Sequence, residues 1–178
     1  MSREIVQLEV KWEQGAVLRP ILEGDLPSIV QHANDREVWR NMRDAFPHPY
    51  TMDSARAFFE LLSKPSNDRI FGIDVGGKIV GACGVHVQKD VYARSAEIGY
   101  WLGRSFHGRG LMSKAVGVLC DYAFTHEWLA RLYASVFAWN PASARVLEKN
   151  GFHREAVVRQ SVFKDGQLID AWLYARLR

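Results

Sequence analysis

Hydrophobic and polar positions alternate along this chain in two rhythms, and each change of rhythm marks a new element. Leu8, Val10 and Trp12 alternate with Glu9 and Lys11, the period-two pattern of a half-buried strand. Gln14-Gly15 turns the chain into a second strand, Ala16 to Arg19, which Pro20 stops. The rhythm then lengthens. Gly24-Asp25-Leu26-Pro27 reads as a helix start with Asp25 as N-cap, and Leu26, Ile29, Val30 and Ala33 mark a buried face. A short helical stretch carries Val38 and Trp39. Phe46-Pro47-His48-Pro49-Tyr50 interrupts regular structure before a helix restarts at Thr51 to Ser54, with Ala57, Phe58, Leu61 and Leu62 expected to face inward.

Arg69 to Val75 and Lys78 to Val87 read as two strands joined at Gly76-Gly77, a two-residue hairpin signal. Gly81 and Gly84 inside the second strand predict a bend or a close backbone approach. Further strands are expected at Leu132 to Phe137, Ala156 to Phe163 and Leu168 to Leu177, the last two forming a hairpin across Lys164-Asp165-Gly166-Gln167. Between them Asn140 caps a helix that starts at Pro141, turns Ala144 and Leu147 to the core, and ends at Gly151.

The stretch from Glu97 to Phe124 carries the candidate chemistry. Ile98-Gly99-Tyr100-Trp101-Leu102 is a buried-strand run, and Gly103 to His107 a polar turn. Gly108-Arg109-Gly110-Leu111-Met112-Ser113 then leads into a helix whose Val116, Leu119, Cys120, Ala123 and Phe124 share one face. Strand, glycine-rich turn and helix N-terminus together aim unpaired N–H groups and a positive dipole end at one point, an arrangement suited to a phosphate or pyrophosphate. A Walker loop is absent, and a dinucleotide fingerprint fails at Ser113, where a third glycine would stand, so a nicotinamide-dependent oxidoreductase is disfavoured.

This stretch resembles the pyrophosphate loop of the GNAT superfamily of N-acetyltransferases, whose Gln/Arg-x-x-Gly-x-Gly/Ala positions fall on His107, Gly110 and Met112. Gly-x-Gly-Leu-Met-Ser is close to the RimJ/RimL variant. Asn140-x-x-Ser143 followed by Glu148-Lys149-Asn150-Gly151-Phe152 is a second match, and the resemblance spans residues 16 to 177. It implies an α/β fold: a mixed sheet, mostly antiparallel, with a central splayed parallel strand pair and helices on both faces. Residues 1–178 are expected to form one domain, with 1–15 an N-terminal strand extension.

Composition fits that frame. A chain of 178 residues buries about 70% of its unfolded surface if it folds as one unit. The excess of 23 basic over 20 acidic residues is too small to imply nucleic acid. Cys83 and Cys120 lie in apolar contexts and read as reduced core cysteines rather than a disulfide or metal site. With no signal peptide at Met1 to Val10 and no membrane-length apolar run, a cytoplasmic protein is expected.

The resemblance also assigns roles. Acetyl-CoA is the implied acyl donor, with no metal. The backbone of Tyr100, Trp101 and Leu102 would pair with the pantetheine arm. His107, Gly108, Arg109, Gly110, Leu111, Met112 and Ser113 would hold the pyrophosphate, with Asn140 and Ser143 near the thiol end. Acetyl transfer needs a proton acceptor for the amine and a partner for the leaving thiolate. Glu97 is the best-placed carboxylate, and His86 one strand back is its rival. Many relatives place a tyrosine seven residues after the capping asparagine. That position is Leu147 here, so Ser143 is the candidate for the sulfur. The loop between the first helices would border the acceptor, making Trp39, Phe46, His48 and Tyr50, together with His86, candidates to contact it. The implied acceptor is a protein N-terminal amine or a small-molecule amine, and no acyl-enzyme nucleophile is evident. A non-catalytic acyl-CoA-binding module is the alternative. Trp172 and Tyr174 look exposed on the C-terminal hairpin, so a homodimer is plausible.

Overall fold

The computed structural model describes residues 10–12, 15–126 and 128–178. In chain order the elements are β1 (Val10–Trp12), β2 (Ala16–Arg19), α1 (Leu26–Ala33), α2 (Arg36–Arg40), α3 (Met52–Ser63), β3 (Arg69–Val75), β4 (Lys78–Val87), β5 (Ser95–Leu102), α4 (Leu111–His126), β6 (Arg131–Phe137), α5 (Pro141–Lys149), β7 (His153–Lys164) and β8 (Gln167–Leu177). Leu8 and Gln14 lie outside the described residues.

The strands form one sheet in the order β1-β2-β3-β4-β5-β6-β8-β7. Every neighbouring pair is antiparallel except β5 and β6. That parallel pair is registered only from Ser95–Arg131 to Glu97–Tyr133. Beyond Glu97 the two strands part, while β5 stays paired to β4 as far as Leu102. One edge of the Ile98–Leu102 backbone therefore faces a gap.

Each face of the sheet buries its own cluster. Leu111, Val116, Leu119 and Cys120 of α4 and Ala144 and Leu147 of α5 pack on Val85, Ile98 and Leu132 on one face. Leu26, Ile29 and Ala33 of α1 pack with Val38, Ala55, Ala82 and Trp101 on the other. The glycines of β4 follow from this crowding: a Cβ at Gly81 would meet the Trp101 carbonyl oxygen at 2.5 Å, and one at Gly84 the Arg69 carbonyl at 2.8 Å. Gly76 and Gly77 turn the β3–β4 hairpin with φ of 63° and 81°, a conformation costly for other residues.

Three local expectations are corrected. Asp25 precedes α1 but has helical dihedrals and makes no side-chain cap. Its carboxylate instead grips Arg19 through two bonds of 2.7 and 2.8 Å and accepts the Leu22 N–H, while Arg19 Nε donates to Asp74 at 2.7 Å. In α3 the fully buried position is Ala55, with Phe58, Phe59 and Leu62 half-buried. Ala57 and Leu61 are exposed, so the inward face is rotated from the expected one. On the C-terminal hairpin Tyr174 is buried, donating to Glu148 at 2.8 Å, and Trp172 is half-buried. The exposed large apolar groups there are Val157, Val158, Phe163, Leu168 and Leu177.

Candidate active site

The gap between β5 and β6 opens into a groove of about 2400 Å³ that runs from the head of α4, past α5, to the loop between α2 and α3. At one end stands the glycine turn. Gly108 and Gly110 both have φ of 76°, and nothing lies within 4 Å of where their side chains would project. The N–H groups of Gly108, Arg109 and Gly110 take no backbone partner among the described residues. Together with the first turn of α4 they form a cradle of donors at a positive dipole end, a fit for a pyrophosphate. Leu111 and Met112 contribute backbone only, since their side chains are buried in the core. His107 donates through Nε2 to the Leu102 carbonyl, 2.9 Å away, so its ring braces the turn, while the Arg109 guanidinium lies over the Phe106 ring.

A brace sets the spacing to the next element. Asn150, at the end of α5, donates through Nδ2 to the Ser113 carbonyl at 2.9 Å and to the Val146 carbonyl at 2.8 Å. Gly117 in α4 leaves room for it, because a Cβ there would sit 2.9 Å from Asn150 Oδ1. Gly151 follows with φ of 76°, and Phe152 is buried. The Glu148-to-Phe152 run is thus a helix end and a cross-strut.

At the head of α5, Asn140 Oδ1 accepts the Ser143 N–H at 3.2 Å. The Ser143 hydroxyl meets the Tyr100 hydroxyl at 2.8 Å, and Tyr100 also reaches the Ser143 carbonyl at 3.1 Å. Burial pushes the Tyr100 phenol well above its ordinary pKa, so it stays protonated and able to donate. The Tyr100 side chain was not expected to matter beyond its backbone. Strand parity held the signal, because Tyr100 shares a face with Ile98 and Leu102, towards α5.

The other parity carries Glu97, Gly99 and Trp101 to the opposite face. Phe46 and Tyr50 line that end of the groove, with ring centroids 4.9 Å apart, and Phe46 meets Trp101 at 5.7 Å. Burial pushes the Tyr50 phenol up to about 12. Trp39 and His48 do not line the groove: their rings stack on each other at 5.8 Å, and the Lys164 ammonium sits 3.8 Å above Trp39. Lys164, itself buried, reaches Asp44 at 2.6 Å, and Asp165 accepts from Arg36, so the tip of the β7–β8 hairpin is tied to α2 and the loop after it. Glu97 is ion-paired with Arg43 from that loop. His86, opposite Glu97 in the β4–β5 register, bonds Asp68. Sequence reading missed Arg43, Asp68 and Lys164, whose partners lie 54, 18 and 120 residues away.

Cys83 and Cys120 are buried free thiols, and burial pushes the Cys120 thiol up to about 12 and Cys83 further. Such thiols are poor nucleophiles. Among the described residues no group of three or more His, Cys, Asp or Glu is placed to hold a metal, and no helix is long and apolar enough to cross a membrane.

A splayed parallel pair, an anion cradle heading one helix and a hydroxyl pair heading the next are the marks of an acyl-CoA-type N-acyltransferase. The chain belongs to the GNAT acetyltransferase family: the acetyltransferase (GNAT) domain matches residues 16–153. It is 31% identical to an uncharacterized N-acetyltransferase, p20, of Bacillus licheniformis over 177 residues, covering 96% of this chain and 97% of the relative. The ribosomal-protein-serine acetyltransferase of Escherichia coli K12 is 36% identical over 84 residues, 47% of each chain. Spermidine N-acetyltransferase from Vibrio cholerae, solved in complex with CoA and spermine, superposes with a TM-score of 0.79 at 23% identity, covering 93% of this chain and 96% of that one. The protein is an N-acetyltransferase with relatives in the RimJ/RimL-like group.

Proposed function

We propose that the protein transfers acetyl directly from acetyl-CoA to a primary amine in a ternary complex, the acceptor being a protein or peptide N-terminal amine or else a small-molecule amine. The observation that carries this reading is the pairing of two backbone features: the open edge of Ile98–Leu102 and the unpaired N–H groups at Gly108 to Gly110. The first suits the amide-bearing arm of CoA, laid along β5 as an added strand, and the second its pyrophosphate. The ribosomal-protein relative favours a peptide amine, and a groove of about 2400 Å³ lined by Phe46 and Tyr50 has the volume for one. A cytoplasmic location accords with a CoA-dependent reaction.

Ser143 and Glu97 are the catalytic pair in this reading. The amine nitrogen bonds to the thioester carbonyl carbon as the carbon–sulfur bond breaks. The Ser143 hydroxyl, at a helix N-terminus and held by Tyr100, donates a hydrogen bond to the departing sulfur. Glu97 receives the incoming ammonium, exchanging its ion pair with Arg43 for one with the substrate, and a base beside it draws off the proton. Buried, protonated Cys83 and Cys120 leave no acyl-enzyme route to compete.

Calorimetric titration tests the donor. Acetyl-CoA is expected to bind and NADH to give no heat, and Gly110→Glu is expected to weaken acetyl-CoA about 100-fold, by placing a side chain at positive φ and a carboxylate at the anion cradle. No acetyl-CoA binding by the unaltered protein would overturn the reading.

A further inference from the structure

The side chain opposite Glu97 has a carboxylate of its own to orient it. His86 and Glu97 are directly paired across β4 and β5, so both leave the sheet on the same face, roughly 5 Å apart at Cβ. The imidazole leans along β5. A Cβ built at Gly99 would be 3.7 Å from its Nε2, an ordinary van der Waals contact, which places that nitrogen over Gly99. The other nitrogen, Nδ1, lies 2.9 Å from Asp68 Oδ2, on the segment entering β3. A carboxylate at Nδ1 selects the neutral tautomer with its hydrogen there and leaves the Nε2 lone pair available, as orienting carboxylates do for basic histidines. Nε2 has no hydrogen-bond partner among the described residues. The charged groups around the ring are Asp68, Glu97, Arg43 reaching Glu97 from the loop after α2, and Arg69 and Lys89 on the same rim of the groove.

We propose that the Asp68–His86 pair is a catalytic base of this enzyme: His86 Nε2 receives the proton of the acceptor amine, Asp68 positions the ring, and Glu97 serves chiefly to hold the ammonium. This rests on the N-acetyltransferase reading and deepens it. The bookkeeping closes within the site. One proton passes from the ammonium to Nε2, and the freed nitrogen pair attacks the acetyl carbon. The carbon–sulfur bond breaks, and the thiolate takes the nitrogen's second proton, relayed through Ser143 and water, as the nitrogen becomes an amide. The imidazolium returns its proton to solvent, which reaches it because the His86 side chain is 42% exposed while that of Glu97 is 18% exposed.

The experiment measures thiol release from acetyl-CoA with seryl- and alanyl-tripeptides and spermidine as probe acceptors, across pH, for the unaltered enzyme, His86→Gln and Asp68→Asn. The acid limb of the kcat profile reports groups of the ternary complex. His86→Gln is expected to lower kcat about 100-fold and to abolish that limb, with acetyl-CoA affinity by calorimetry unchanged. Asp68→Asn is expected to retain more activity and to move the limb to lower pH, because the imidazolium loses its counter-charge. A purely structural role for either residue would lower kcat without moving the limb. Turnover with an unmoved limb in both variants overturns the assignment of His86 alone and leaves the transferase reading standing. An unaltered enzyme that binds acetyl-CoA yet acetylates none of the probes overturns the amine-acceptor reading and this proposal with it.

Discussion

The two ends of the groove, proposed above to take the acyl donor and the amine acceptor, are built from different materials. From β5 through α4 to α5 the site is mostly backbone: glycines at positive φ, an asparagine cap, a proline-led helix and an unpaired strand edge. Around α1 to α3 it is made of side-chain pairs that join distant parts of the chain, Arg43 to Glu97, Lys164 to Asp44 and His86 to Asp68. Backbone donors suit a constant ligand, because any substitution that keeps the dihedrals keeps the site. Side-chain pairs can be exchanged one at a time, which suits an end that must follow the acceptor.

Five substitutions would break or sharpen that contrast. The largest effect is expected where the acceptor-side helices are anchored. Arg19→Ala leaves Asp25 and Asp74, both buried, without their shared cation and is expected to cost about 3 kcal/mol in denaturant unfolding. The same anchor has a pH signature. Burial opposes charge on Asp25, but the bonds from Arg19 and the Leu22 N–H outweigh it and hold the carboxyl below its ordinary 3.8. Its contribution is therefore complete above that unfolded value and is lost as pH falls through the lower folded one. Asp25→Asn is expected to be less stable at neutral pH and to lose less stability on acidification below about pH 4. An anchor variant whose acid unfolding matches that of the unaltered protein would contradict this assignment.

At the donor end, Ser143→Ala is expected to reduce kcat about 30-fold by removing a hydrogen bond to developing charge, and Tyr100→Phe about fivefold by loosening that hydroxyl. Both should leave the acetyl-CoA dissociation constant within about twofold, since the backbone cradle is untouched. An equal loss of acetyl-CoA affinity would mean that the pair is part of the cofactor clamp. The smallest effect is expected from Arg43→Ala. Freed of its partner, Glu97 should change the KM for acceptor about threefold and the affinity for acetyl-CoA not at all, and a change confined to the donor would erase the distinction between the two ends.

The same division decided how much was legible in advance. The glycine turn, the Asn140 cap, the Gly76-Gly77 hairpin and the Asp165-Gly166 turn are local, and each states its own dihedrals within a few residues. Asp25 misled because a capping residue and an arginine partner are chemically alike, and Arg19 sits six residues upstream in another strand. Trp39 and His48 lie on α2 and in the loop after it, where they stack on each other beneath a lysine from the far hairpin. No short-range pattern announces such a contact. Tyr100 lay between the two cases, since its parity was readable and its partner was not.

The Asn150 strut has a consequence of its own. By tying the first turn of α4 to the last turn of α5, it joins the anion cradle and Ser143 into one rigid body. The span between them is then a fixed gauge. A CoA thioester bound as proposed would be measured from its pyrophosphate to its sulfur, and one cut short of the nucleotide would meet only the second mark.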